Sequence, residues 1–216
     1  MSGATREVII QLIEETSWTE RAKLVERLGT RFSVGGLATS EWHAITDAFR
    51  VALFDSEPLV RRVLAESVKL ARDLPRDILL SLARDTAAVA IPVLEHSPEL
   101  SDIDQLALVQ GGAPAHRFAI AGRRHISARI AQALTRAGER AVLLRLLSND
   151  GAALSETMLH ELLDRFADHP EIAETIGRRR LLPVSVGARL FAAPSSRDSA
   201  SRPTLRVVSD RTGSLG

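Results

Sequence analysis

Residues 139–165 read ERAVLLRLLSNDGAALSETMLHELLDR, and this stretch decides the fold. Its first part carries apolar residues at helical spacing, namely Val142, Leu143, Leu146 and Leu147. An Asn-Asp-Gly turn signal follows at 149–151. A second stripe with the same spacing comes next, at Met158, Leu159 and Leu162, and continues to Phe166 just after the stretch. The stretch therefore predicts two helices joined by a short turn, which is a helical hairpin.

The same pattern recurs along the chain at intervals of 26 to 30 residues. Each copy opens with a small or apolar residue and has another one four positions later, which is one face of a helix. The opening residues are Leu59, Val89, Ala115, Val142 and Ile172. A single hairpin cannot bury its apolar face alone, so repeats of this length stack on one another. The sequence predicts an all-α fold, an α-solenoid of about five helical hairpins.

The chain divides into three predicted segments. Residues 1–39 are expected to form an N-terminal helical cap, whose last helix ends at Gly29. Residues 40–193 form the helical repeat domain, and we expect Ser40 to cap its first helix. Residues 194–216 are rich in Ser, Arg, Thr, Gly and Pro, so we expect a disordered tail.

Composition removes several kinds of chemistry. The chain has no cysteine, which excludes disulfides, thiolate nucleophiles and Cys-type zinc sites. Aromatic residues make up only 4%, which disfavours stacking on nucleic-acid bases. There is no apolar run long enough to span a membrane and no signal-peptide pattern, so we expect a cytoplasmic protein with no membrane contact.

The net charge of +1 conceals a gradient along the chain. Residues 55–112 carry a net charge of −4, whereas residues 113–193 carry +4. If the hairpins stack in order, the two halves of the array have opposite charge, and we expect a dipolar molecule.

Three segments resemble one bacterial family. They are VRRVLAE at 60–66, PRDILLSLARD at 75–85 and PVLEHSPELSD at 92–102. Together they resemble domain-of-unknown-function family 2336, over about residues 40–193. The resemblance implies a stack of HEAT-like helical repeats and brings no catalytic residues with it.

The string closest to an enzyme motif is HELLD at 160–164. In zincins, a helical His-Glu pair is followed one turn later by a second histidine, and the two histidines bind the metal. Here Asp164 stands in place of that second histidine. The alternative is an ordinary amphipathic helix with His160 and Asp164 on its solvated face, which the leucines of the string favour. No phosphate loop or nucleophile elbow occurs. We therefore expect no enzymatic activity, no cofactor and no metal site.

Arginines cluster at comparable places in several repeats. The candidate partner-binding residues are Arg61, Arg62, Arg117, Arg123, Arg124, Arg178, Arg179 and Arg180. If equivalent faces align in the stack, these arginines form a basic stripe along one surface. Because glutamates are interspersed among them, a salt-bridged surface is the simpler alternative.

The leading functional hypothesis is a non-enzymatic protein-protein interaction or scaffold module, since repeat folds build extended surfaces. The alternative is a nucleic-acid-binding helical-repeat protein that uses the arginine-rich face. We expect the partner to be a protein. We also expect Arg123 and Arg124 to be rim charges, whose reversal to Glu leaves the melting temperature nearly unchanged.

Overall fold

A computed structural model of the protein describes residues 7, 10, 14, 15 and 17–192, and residues 17–192 contain twelve helices. They are α1 (Trp18–Val34), α2 (Thr39–Ala52), α3 (Pro58–Val68), α4 (Arg76–Ala83), α5 (Ala87–His96), α6 (Asp102–Gly111), α7 (Pro114–Ala121), α8 (Ala128–Ala137), α9 (Arg140–Leu147), α10 (Glu156–Arg165), α11 (Pro170–Gly177) and α12 (Val184–Ala192). No β-strand occurs among these residues, so the all-α prediction is confirmed.

The helices stack in two layers. In the first layer α1, α3, α5, α7, α9 and α11 each pack on the next in the series. In the second layer α6, α8, α10 and α12 do the same, while α2 packs on α1 and α3, and α4 packs on α5. The chain therefore alternates between layers and advances in order along the stack. This arrangement is that of a helical repeat solenoid.

Buried apolar residues follow the predicted register in the second, fourth and fifth repeats, whereas in the third repeat Ala115 is half-buried and His116 after it is buried. Val89, Val142 and Ile172 are buried, as are the residues four positions after them. The register is wrong in the first repeat, where Leu59 is 43% exposed and Val60 is buried instead. The apolar run around 59–64 fits two helical stripes one residue apart. Packing of α3 between α1 and α5 selects the one that contains Val60 and Leu64.

Two predicted helix boundaries near the N-terminus are wrong. Gly29 does not end a helix but lies inside α1, where a Cβ atom would come within 2.0 Å of Ser67 Oγ. The residue is glycine because α1 and α3 approach closely at that point. Ser40 is the second residue of α2, whose N-cap is Ala38 without a side-chain hydrogen bond.

Two predicted segments fall outside the described residues. One is a leading helix that we expect from the apolar pattern Val8, Ile9, Leu12 and Ile13. The other is the tail, residues 194–216. Within the described part, α1 and α2 stack on α3 in the same layered manner as the later helices.

The buried apolar residues form two clusters. The larger extends from α1 to α10 and contains Val60, Ile78 and Ile120. The smaller joins α9 to α12 and contains Leu143, Leu162 and Ile176. The half-buried Leu154 packs against both clusters. Helices α9 and α10 contribute residues to both clusters, and the smaller cluster forms the apolar core of the C-terminal end.

Candidate functional site

Arg61 and Arg117 tie neighbouring first-layer helices together. Each lies in the first turn of its helix and pairs with an acidic residue just before the following first-layer helix. Arg61 Nε donates to Asp85 at 2.6 Å, and Arg117 Nε donates to Glu139 at 2.8 Å. Arg21 Nε pairs with Asp55 in the same way at 2.6 Å. These arginines are half-buried links between repeats.

The same ion pairs lower the pKa values of the aspartates that take part in them. Burial raises the pKa of Asp85, but hydrogen bonds from Arg61 and the Thr86 backbone outweigh burial, and the net pKa lies below its ordinary value. The pKa of Asp55 is lowered for the same reason, with Arg21 as the cation. Both carboxylates therefore stabilise the fold in their ionised form.

Arg123 and Arg179 bind the C-terminal ends of first-layer helices. Arg123 donates to the Leu94 and Ser97 carbonyls, at 2.6 and 2.8 Å, where α5 ends. Arg179 donates to the Leu147 carbonyl at 2.7 Å, where α9 ends. The last carbonyls of a helix lack intrahelical partners, and a cation there also interacts favourably with the helix dipole.

The expectation that Arg123 is a rim charge is wrong. Burial is the main influence on the guanidinium and lowers the pKa of Arg123. Reversing this charge to Glu leaves the α5 carbonyls without a donor and places a carboxylate next to them. We therefore expect that change to destabilise the fold, whereas the neighbouring Arg124 is exposed and accessible to a partner.

The eight candidate arginines do not form one stripe. Arg61 and Arg117 lie where first-layer helices begin, and Arg123 and Arg179 lie where such helices end, so the two pairs occupy opposite edges of the layer. The remaining four are exposed, namely Arg62, Arg124, Arg178 and Arg180. Arg178 pairs with Glu174 at 3.3 Å. Partner binding by these residues stays a prediction, and the exposed ones are best placed for it.

A cleft of about 580 Å³ opens along the second layer, between α6 and α8. Its lining combines apolar, amide and charged side chains, including Leu106, Gln110, Arg117, Arg129, Gln132, Arg136 and Glu139. Sequence reasoning missed Arg129 and Arg136 because no motif surrounds them. A signal was nevertheless present: the α8 sequence ARIAQALTRA has two arginines and no acidic residue.

His160 and Asp164 both face α12. His160 Nε2 lies 3.1 Å from Ser185 Oγ, and Asp164 forms an ion pair with Arg189. That arginine lowers the pKa of Asp164. Within the described part of the chain, no three histidine or carboxylate side chains are arranged to hold a metal ion. Among the same residues, no helix combines the length and apolar character needed to cross a membrane.

These features define an all-helical repeat protein whose successive repeats are linked by arginines. The chain belongs to a family described as uncharacterised protein conserved in bacteria (DUF2336), whose profile matches residues 89–202. The matched range begins within α5, so the resembling segments at 60–66 and 75–85 lie before it. No curated protein and no solved structure shows a significant match.

Proposed function

We propose that the protein is a non-enzymatic protein-protein interaction or scaffold module built of HEAT-like repeats and acting in the cytoplasm. The supporting observation is the row formed by α6, α8, α10 and α12 in the second layer. Packed helices lie about 8–10 Å apart, so four of them span roughly 30 Å. A face of that length suits the size of an ordinary protein interface.

Exposed arginines border this row. Arg124 lies just before α8 and Arg180 lies before α12, and both side chains are exposed. Charges at the rim of an interface accelerate association with an oppositely charged partner. An acidic protein surface that docks on the second layer therefore meets both arginines at one edge.

The experiment compares the wild-type chain with the Arg124→Glu, Arg180→Glu variant. Each is expressed with a tag in a bacterial host and cross-linked in the cell, and cross-linked proteins are identified by mass spectrometry. A variant with Arg27→Glu and Arg72→Glu serves as the matched control, because both residues are exposed arginines away from the row. We expect a protein cross-linked to second-layer residues in the wild type and in the control, and its depletion in the Arg124, Arg180 variant.

The nucleic-acid alternative is tested with the same variants and labelled duplex DNA, single-stranded DNA and RNA. Non-specific electrostatic binding typically has a Kd of about 10⁻⁴–10⁻⁶ M at physiological salt. We expect no saturable binding below about 10 μM. Sub-micromolar, salt-sensitive binding that disappears in the Arg124, Arg180 variant would put nucleic-acid binding first.

A further inference from the structure

The cleft between α6 and α8 contains two cations without a matched anion. Arg129 and Arg136 are exposed, and their guanidinium groups make no hydrogen bond or ion pair with any other described residue. Glu139 is the acidic residue in the lining, and its partner is Arg117. The cleft therefore carries two unmatched positive charges.

The acidic groups on the neighbouring helices lie outside the cleft, and this includes the exposed Asp102 on α6 and Glu161 on α10. On α6, Asp104 pairs with Arg76, and on α10, Asp164 pairs with Arg189. At the start of α10, Glu156 accepts a hydrogen bond from Ser185. None of these carboxylates lines the cleft. A ligand that brings its own negative charges is needed to neutralise the two arginines.

The lining also offers groups that suit an extended polypeptide. Gln110 and Gln132 are exposed amides in the cleft, and each presents one acceptor oxygen and two N–H donors. An extended peptide has free backbone N–H and C=O groups that such side chains can bind, whereas a helix has already paired most of its own.

The spacing of the two arginines indicates the spacing of the ligand charges. Arg129 and Arg136 are seven positions apart on α8, which corresponds to about 10 Å along the helix axis. In a polyproline II segment, residues three positions apart lie on one side at a distance of about 9 Å. Two carboxylates with that separation match the two guanidinium groups.

We propose that the cleft between α6 and α8 binds an extended acidic peptide segment of a partner protein, with two carboxylates on Arg129 and Arg136. Gln110 and Gln132 bind the peptide backbone, and Leu106 with Ala133 forms the apolar floor. This inference rests on the proposed interaction function and assigns the chemistry of one partner segment. The lining favours a peptide over a nucleic acid because it contains no aromatic side chain on which a base can stack.

The test uses a fluorescent peptide with two glutamates three positions apart in a proline and serine background, and a control peptide with glutamines in their place. Binding is measured by fluorescence anisotropy with the full chain and its Arg129→Gln, Arg136→Gln variant. Arg27→Gln is the matched control, since Arg27 is an exposed helical arginine far from the cleft. Circular dichroism of each variant verifies that it is folded.

We expect saturable binding of the glutamate peptide, weakened about tenfold or more in the double variant and unchanged in Arg27→Gln. The glutamine peptide should bind at least about tenfold more weakly than the glutamate peptide. Equal binding of both peptides, or equal binding by wild type and double variant, overturns the inference. So does a single-stranded RNA that binds more tightly than the peptide through the same two arginines. If the peptide fails while cross-linking to a protein partner persists, the interaction function stands and the assigned ligand is wrong.

Discussion

At the residue scale, arginines in this protein divide into two groups according to what surrounds them. Arg123 and Arg179 donate to carbonyls at helix ends, and Arg61 and Arg117 hold carboxylates of the next repeat. All four are engaged in joining repeats. A ligand can be bound only by arginines whose guanidinium groups are not engaged within the fold. Arg129 and Arg136, in the cleft between α6 and α8, are such a pair.

Gly29 provides a prediction at this scale. Gly29→Ala places a methyl group against Ser67, because a Cβ atom at position 29 would lie 2.5 Å from the Cβ atom of Ser67. Since Ser67 belongs to the packed helix α3, the clash should lower the free energy of unfolding by about 1–3 kcal/mol. Urea denaturation measures the change.

Ser67→Gly removes the clashing atoms and supplies the control. The Gly29→Ala, Ser67→Gly double variant should lose less stability than the sum of the two single changes. Strict additivity would show that the two positions do not meet.

At the element scale, the links between first-layer helices determine how stability depends on pH. The pKa values of Asp55 and Asp85 are lower in the folded protein than in the unfolded chain, so the unfolded chain takes up protons first as the pH falls. The stabilisation is complete above about pH 3.9, the ordinary pKa of aspartate. It is lost as the pH falls from there through the lower pKa values of the folded state.

Asp85→Asn should therefore make the protein less stable at neutral pH. It should also weaken the fall in the free energy of unfolding as the pH is lowered. The free energy of unfolding is measured by urea denaturation at a series of pH values from neutral to acid. Asp77→Asn is the control, since Asp77 pairs with Arg50 but is far more exposed than Asp85, and solvent screens its contribution. An unchanged pH dependence of stability in Asp85→Asn would contradict the role of the Arg61 link.

At the scale of the whole molecule, the two apolar clusters divide the array unequally. Helices of a repeat protein contact mainly their neighbours, so local defects stay local when the cores are separate. The cluster around Leu162 holds α9 to α12 together. Among the described residues, Leu154 is the partly buried residue that packs against both clusters. We therefore expect the C-terminal end to loosen more readily than the rest of the array when its own cluster is weakened.

Leu162→Ala tests this division. Leu162 is fully buried, as the sequence predicts for a core position, and its truncation should cost on the order of 2–5 kcal/mol. Hydrogen exchange followed by mass spectrometry should show faster exchange in α10 to α12 and little change in α3 to α5. Leu59→Ala, at an exposed position, is the control and should leave exchange unchanged. Equal acceleration in all helices would show one cooperative unit instead of two.

Periodicity in the sequence was sufficient for the helices, the order of the stack and most core positions, because a 3.6-residue repeat of apolar residues is a local property. Family membership was also predictable from the sequence, because it depends on the order of residues along the chain. Local patterns could not decide between Leu59 and Val60 in α3, since both give an apolar stripe and only packing against α1 and α5 selects one. The place of Gly29 was beyond local patterns for a similar reason, because its close neighbour Ser67 is remote in sequence.

The roles of the arginines depended entirely on tertiary structure. Arg123 and Arg124 are adjacent and chemically identical, yet one is half-buried against the end of α5 and the other is exposed. Arg129 and Arg136 belong together with Gln110 only because α6 and α8 pack side by side. The sequence determines the type and the charge of each residue. Which arginine is engaged within the fold depends on groups about 20 to 30 residues away that stacking brings within hydrogen-bond distance, such as the Glu139 carboxylate for Arg117 and the Leu94 carbonyl for Arg123.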